Sequence, residues 1–173
     1  LKKTTEIGTK GINFCLARAA DSSQLYTGNS DFKIYSVDAA AEKPEAKPLA
    51  EQGHQSYVTG AALADNQLIT GSYDKQLIWW DTTSGQPIRN VAAHELWIRN
   101  VVVSPDRSIA VSVADDMQAH VWSVADGKRI RTLSDHAAQT PHHYPSMLYA
   151  VTISPDGAFI ATGDKVGHVA IWE

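Results

Sequence analysis

The sequence predicts an all-β fold built from about four repeated antiparallel units. Three observations carry this prediction. A motif of two short alternating apolar runs, joined by a polar turn and closing on tryptophan, recurs along the chain. Turn residues punctuate the runs at regular intervals. No segment sustains helical periodicity.

The clearest copies are 68–81 (LITGSYDKQLIWWD), 110–123 (AVSVADDMQAHVWS) and 160–173 (IATGDKVGHVAIWE), with a weaker one at 25–38 (LYTGNSDFKIYSVD). Their hydroxyl residues Thr27, Thr70, Ser112 and Thr162 lie 43, 42 and 50 residues apart. In the second copy Leu68 and Thr70 share a face. After the turn, Leu77, Trp79 and Asp81 alternate with Ile78 and Trp80, which makes a hairpin. A Ser-Pro-Asp turn at 104–106 or 154–156 precedes the later hairpins, where proline pre-sets the turn backbone. Before it runs another apolar segment, 100–103 or 150–153, and a returning segment such as 86–91 or 128–133 follows each tryptophan. Four strands per unit is the count of a propeller blade.

Composition sets outer bounds. The chain of 173 residues is 43% hydrophobic and 20% charged, which is ordinary for a globular domain. Its formal net charge of -4 argues against a nucleic-acid partner. No apolar stretch reaches the roughly 18–20 residues that span a bilayer, so no membrane insertion is expected. No secretory signal is visible, but the first residue is Leu1 rather than Met, so compartment stays open, with a slight lean to the cytoplasm. The single cysteine, Cys15, lies in an apolar run and reads as a small core residue; no disulfide framework exists.

These copies resemble the WD-repeat (β-transducin-like) family from about Ile12 to Glu173. More loosely, the chain resembles the WD-repeat proteins that are numerous in some bacteria. The resemblance implies WD-repeat β-propeller blades, about four four-stranded antiparallel blades in a partial or open propeller, with approximate bounds 8–50, 51–92, 93–134 and 135–173. It also implies a hydrogen-bonded set that pins each blade: a His before the first strand, a Ser or Thr in the second, an Asp in the turn and a Trp in the third. By position these are His54, Thr70, Asp74 and Trp80, then His94, Ser112, Asp116 and Trp122, and in the last unit His136, Thr162 and Trp172. An Asp–His–Ser set also suggests a hydrolase, but a unique active site does not recur once per unit, and G-x-S-x-G does not occur. Val166 stands where the fourth unit's Asp is expected. Val37 stands where the first unit's Trp is expected, and that unit has no leading His. Both outer units are therefore expected to be held less tightly.

Four units are few for a closed WD ring. Either the chain is part of a longer propeller, continuing into further blades, or it completes itself by pairing its N-terminal segment with the last blade or by self-association. The proline-containing stretch 39–48 reads as a solvated linker or sheet edge.

The family's usual protein-binding end is lined by the lead-in to the first strand and by the turn that carries the Asp. Carried over by position, it holds Tyr57, Thr59 and Tyr73; Trp97, Arg99 and Asp115; and Met147, Tyr149 and Lys165. Such aromatic, Met and Arg residues are enriched at interface hot spots. The extra residues 137–146, with His142, His143 and Tyr144, fall on the same end. Adjacent histidines point apart in an extended chain, so no metal and no cofactor is expected. The favoured function is a scaffold that binds other proteins, and not an enzyme. The competing readings are a channel-mouth small-ligand, metal or enzymatic site using His142, His143 and Asp115, and a plain structural spacer.

Overall fold

The computed structural model describes residues 2–3, 5–20, 22–139 and 145–173. Among them, fifteen strands form four antiparallel sheets and there is no helix. Blade one comprises β1 (Asn13–Arg18), β2 (Gln24–Asn29), β3 (Ile34–Asp38) and β4 (Lys47–Pro48). Blade two comprises β5 (Val58–Ala64), β6 (Gln67–Ser72), β7 (Gln76–Asp81) and β8 (Pro87–Ala92). Blade three comprises β9 (Ile98–Val103), β10 (Ile109–Ala114), β11 (Ala119–Ser123) and β12 (Arg129–Leu133). Blade four has β13 (Leu148–Ile153), β14 (Ile160–Asp164) and β15 (Val169–Trp172), so it is three-stranded where the repeat predicts four.

Within each sheet the strands pair in sequence order, because short connections join antiparallel neighbours. The linker 39–48 contributes only the two-residue edge strand β4, opposite Tyr35 and Ser36. A longer ladder there is disfavoured by Pro44 and Pro48, which lack the N–H.

Register places two apolar rows on every blade. In blade two, Ala61, Thr70 and Ile78 lie opposite one another, and Ala62, Ile69 and Trp79 form the adjacent row. Side chains alternate faces along a strand, so the first row meets blade one and the second meets blade three. Three cores result. Ala17, Tyr26 and Ile34 pack with Val58, Leu68, Ile78 and Trp80. Ile69, Leu77 and Trp79 pack with Ile98, Val101, Ala110 and Trp122. Val111, Val113, Val121 and Leu133 pack with Leu148 and Val151. The first strands β1, β5, β9 and β13 run side by side, which aligns their leading ends. Cys15 is half-buried against the first core, and desolvation raises its thiol to about 11, as expected of an inert packing residue.

Candidate functional site: blade pins and an aromatic face

The recurring polar residues do come together. In blade two, Trp80 Nε1–H donates to Thr70 Oγ1 at 2.8 Å. His54 Nε2 lies 2.8 Å from the same hydroxyl, and its Nδ1 lies 2.9 Å from Asp74 Oδ2. A carboxylate can only accept, so Nδ1 carries the ring proton and Nε2 accepts from the threonine hydroxyl. Blade three repeats the chain: Trp122 Nε1–H donates to Ser112 at 2.9 Å, His94 Nε2 meets Ser112 at 2.7 Å, and His94 Nδ1 meets Asp116 at 3.0 Å.

Blade four corrects the sequence expectation. Its set is complete, because Asp164 takes the place that Val166 leaves vacant. His136 Nδ1 lies 3.1 Å from Asp164 Oδ2, His136 Nε2 lies 2.7 Å from Thr162, and Trp172 Nε1–H donates to Thr162 at 2.9 Å. The acid has moved two residues upstream, to the end of β14. It still accepts the backbone N–H groups of Val166 and His168. Blade one substitutes a different network. Thr27 donates to Asn13 Oδ1 at 3.1 Å, and Asn29 Nδ2 donates to Thr9 and to Asn13 at 2.9 and 3.0 Å. Tyr35 donates to Asp31 at 2.5 Å, which raises its phenol to about 12.

Burial opposes ionisation of Asp74 and Asp116, but His54 and His94 with the backbone N–H groups of Gln55, Gln76, Glu95 and Gln118 outweigh it. Both carboxyls are therefore held below the usual range. Asp164 is lowered in the same way: desolvation opposes, while the His168 N–H and His136 prevail. Thr70, Ser112 and Thr162 are buried and capped by indole N–H groups. A hydroxyl so enclosed, repeated in three blades, is a fastener rather than a nucleophile. Each Asp or Asx-type turn also supports a residue in the left-handed region: Phe32, Lys75 and Met117 have φ of 71°, 72° and 63°, and blade four uses Gly167 there.

Blade three adds a second histidine. His120 is buried and stacks on His94, with centroids 4.2 Å apart and planes 9° from parallel. Its Nδ1 lies 2.9 Å from Ala93 O. Desolvation, then the neighbouring His94, lowers its pKa to about 4. Its Nε2 lies 2.8 Å from Gln118 Oε1.

The residues assigned to the binding end also meet. A backbone bond ties turn to lead-in in every blade: Ser30 N–H to Ile12 O, Tyr73 N–H to Tyr57 O, Asp115 N–H to Trp97 O, and Lys165 N–H to Met147 O. Rings then stack from blade to blade. Phe14 lies 5.4 Å from Tyr57, Tyr57 5.7 Å from Tyr73, and Tyr73 4.6 Å from Trp97, the last pair only 7° from parallel. Phe32 flanks Tyr57 at 5.9 Å. Arg99 sits at the centre of the other half. It holds Asp115 through Nε and Nη2, each at 2.6 Å, donates to the Tyr73 hydroxyl, and approaches Met147 Sδ at 3.6 Å. Its guanidinium lies 4.8, 5.6 and 5.1 Å from the Tyr73, Trp97 and Tyr149 rings. Arg99 thus ties blades two, three and four together, and its own donors are used inside the cluster. Trp97, Tyr149, Tyr57, Phe14 and Phe32 remain exposed. Thr59 turns inward and donates to Ile98 O at 2.6 Å, making a junction between blades.

Sequence reasoning missed Phe14 and Phe32. The offset from Thr27 that yields Ile12 and Ser30 would have found their neighbourhood, had the first unit been scanned like the others. His142, His143 and Tyr144 lie outside the described residues. The base of their loop is closed by the Gln139–Pro145 bridge and by Ser146 N–H to Ala138 O, next to Met147. Among the described residues no group of three His, Cys, Asp or Glu could hold a metal ion, and no helix could cross a membrane.

Comparison with known proteins matches this geometry. The chain matches the family described as WD domain, G-beta repeat over residues 46–81, 85–123 and 127–173. Each matched unit begins near the outermost strand of one blade and ends on the third strand of the next, so the sequence repeat is offset from the sheets. Nuclear distribution protein PAC1 of Arthroderma benhamiae is 31% identical over 172 residues, covering 86% of this chain and 37% of that protein. U3 small nucleolar RNA-interacting protein 2 of Homo sapiens is 34% identical over 89 residues, covering 50% of this chain and 19% of that protein. WD repeat-containing protein SL1-17 of Schistosoma mansoni is 27% identical over 131 residues, covering 71% and 41%. The chain therefore spans well under half the length of these curated relatives. They are eukaryotic proteins and lend no support to the bacterial likeness. A general protein-interaction scaffold role fits them. The chain belongs to the WD-domain, G-beta repeat family.

Proposed function

We propose that the chain is a non-enzymatic scaffold whose aromatic end binds other proteins. One observation carries the reading: a contiguous row of partly exposed rings crosses three blades and is braced by Arg99. Rigid, preorganised aromatic residues lose little entropy on binding and supply most hot-spot energy. Trp97 is 48% exposed although one face is stacked, so its free face and edge are available to a partner. Tyr57, Tyr73, Met147, Tyr149 and Lys165 surround it, with Arg99 and Asp115 as the brace beneath. His142, His143 and Tyr144 are included in this end as part of the proposal, by the sequence position of residues 137–146 ahead of Met147.

The test is affinity capture with the full-length protein and its Trp97→Ala and Tyr149→Ala variants. Loss of an aromatic anchor costs about 2 kcal/mol or more, roughly a thirtyfold fall in affinity. Partner recovery should fall accordingly while far-ultraviolet dichroism is unchanged. Undiminished recovery with both variants refutes the assignment.

A further inference from the structure

Met147 is one of two methionines in the chain. The other, Met117, is 6% exposed and packs in the core between blades three and four. Met147 is only partly buried, at the lead-in position that Tyr57 and Trp97 fill in the preceding blades. Two donors meet its sulfur. The Tyr149 hydroxyl donates to Sδ at 3.2 Å, and Arg99 Nη2 approaches it at 3.6 Å. Arg99 is also held by Asp115, which raises its pKa and keeps it a charged donor. A thioether is a weak acceptor, so neither donor gains much from the sulfur as it stands.

The same arrangement suits oxidation of that sulfur. We propose that Met147 is a modification site for hydrogen peroxide, which converts it to the sulfoxide with Tyr149 and Arg99 assisting the step. A sulfur lone pair attacks one peroxide oxygen, so an S–O bond forms as the O–O bond breaks. The second oxygen leaves as hydroxide with the electron pair of the broken bond. It takes the proton carried by the new S–OH group and departs as water. The sulfur is oxidised by two electrons and the peroxide is reduced. The costly part is the charge that develops on the departing oxygen, and hydrogen-bond donors fixed beside the sulfur stabilise it. The Tyr149 hydroxyl and the Arg99 guanidinium are such donors.

The product is accommodated by the same groups. A sulfoxide is polar and disrupts a packed core, which bars Met117 from this role. On Met147 the new oxygen forms on a sulfur that an O–H and a charged N–H already face. Met147 also belongs to the end of the array read above as partner-binding. On that reading, oxidation sets a polar group against the brace beneath Trp97. The oxidation itself does not depend on that reading.

Rates of oxidation by dilute hydrogen peroxide, followed separately for Met147 and Met117 by mass spectrometry of their peptides, test this. In the unaltered chain Met147 should react well ahead of Met117. Tyr149→Phe keeps the ring beside Arg99 and removes one donor. It should slow Met147 about tenfold, less than a full general acid contributes because Arg99 remains. Met117 should be unchanged, which shows that the variant keeps its fold. A methionine that is merely accessible behaves in the opposite way, since the substitution uncovers the sulfur and frees its lone pair. An equal or faster Met147 rate in Tyr149→Phe therefore overturns the proposal, as do equal rates for the two methionines of the unaltered chain. Partner recovery with Trp97→Ala bears on the scaffold reading alone, so the two readings fail separately.

Discussion

Replacing Thr70 by valine removes one oxygen and keeps the shape of the side chain. In blade two that oxygen accepts the Trp80 indole N–H at 2.8 Å and faces His54 Nε2 at 2.8 Å. Trp80, His54 and Thr70 are all buried, so no water replaces the lost partner. Two buried polar groups are left unpaired, at about 1–3 kcal/mol each, which gives a loss of about 2–5 kcal/mol. The matched control is Thr27→Val in blade one. There the hydroxyl donates to Asn13 Oδ1 at 3.1 Å and lies 3.5 Å from Gly28 O, and Asn13 keeps Thr9 and Asn29 as donors at 3.0 Å, so the expected loss is about 1 kcal/mol. Repeat arrays need not unfold in one step, so the assay is amide hydrogen exchange resolved by blade, alongside urea titration. Protection should collapse in β6 and β7 for Thr70→Val and hardly change in β2 and β3 for Thr27→Val. Equal effects at the two sites, or a loss below about 0.5 kcal/mol at Thr70, would show that the hydrogen-bonded set does not fasten the blade.

The other expectations concern acid, the displaced pin and the face. His120 has a folded-state pKa near 4 against an ordinary 6.5, so its contribution is intact above pH 6.5 and is lost as pH falls towards 4. That window corresponds to about 3 kcal/mol, and His120→Leu should flatten the pH dependence of urea midpoints across it; an unchanged slope contradicts the buried neutral ring. The lowered Asp74, Asp116 and Asp164 act in a lower window, their stabilisation being present above the ordinary carboxylate value and lost as pH drops beneath it. Asp164→Ala should destabilise blade four by about 3 kcal/mol, and adding Val166→Asp should restore part of it, measured by exchange in β14; a silent Asp164→Ala denies that the acid has moved. Asp116→Ala should loosen β10 and β11, whereas Asp115→Ala should leave blade protection unchanged and increase the mobility of the Arg99 and Trp97 side chains by NMR relaxation; matching effects would refute the separate tasks of these neighbours.

The fold was legible because a hairpin repeated in register leaves its period in the chain. Thr27, Thr70, Ser112 and Thr162 mark it even where other positions drift. The resemblance to the repeat family placed the pins of blades two and three, where His54 and His94 precede strands of nearly equal length. Blade four defeated spacing. A carboxylate on the last strand residue reaches the same imidazole as one in the turn, and only three-dimensional reach reveals it. Blade one defeated it differently, by replacing imidazole and indole with amides that no repeat position announces. The face was legible by residue number and not by contact. Nothing in the order of residues shows that Arg99 reaches Tyr73, Asp115, Met147 and Tyr149, since those contacts cross three blades. His120 was invisible for a related reason: its partner Ala93 belongs to a loop 27 residues upstream.

The adjacent pair Asp115 and Asp116 shows why one turn can serve both stability and recognition. Asp116 points into the blade, where His94 and two backbone N–H groups consume its charge. Asp115 points to the end of the array, where Arg99 consumes its charge and is thereby fixed beneath Trp97. Because the pin is satisfied internally, the residue beside it can change without loosening the sheet. The equivalent position is Ser30 in blade one, Tyr73 in blade two and Lys165 in blade four, each held by the same backbone bond to the lead-in. Backbone constancy with side-chain freedom is the condition a recognition surface needs. On the proposed scaffold reading, partner choice would vary through the residue next to each pin rather than through the pin itself.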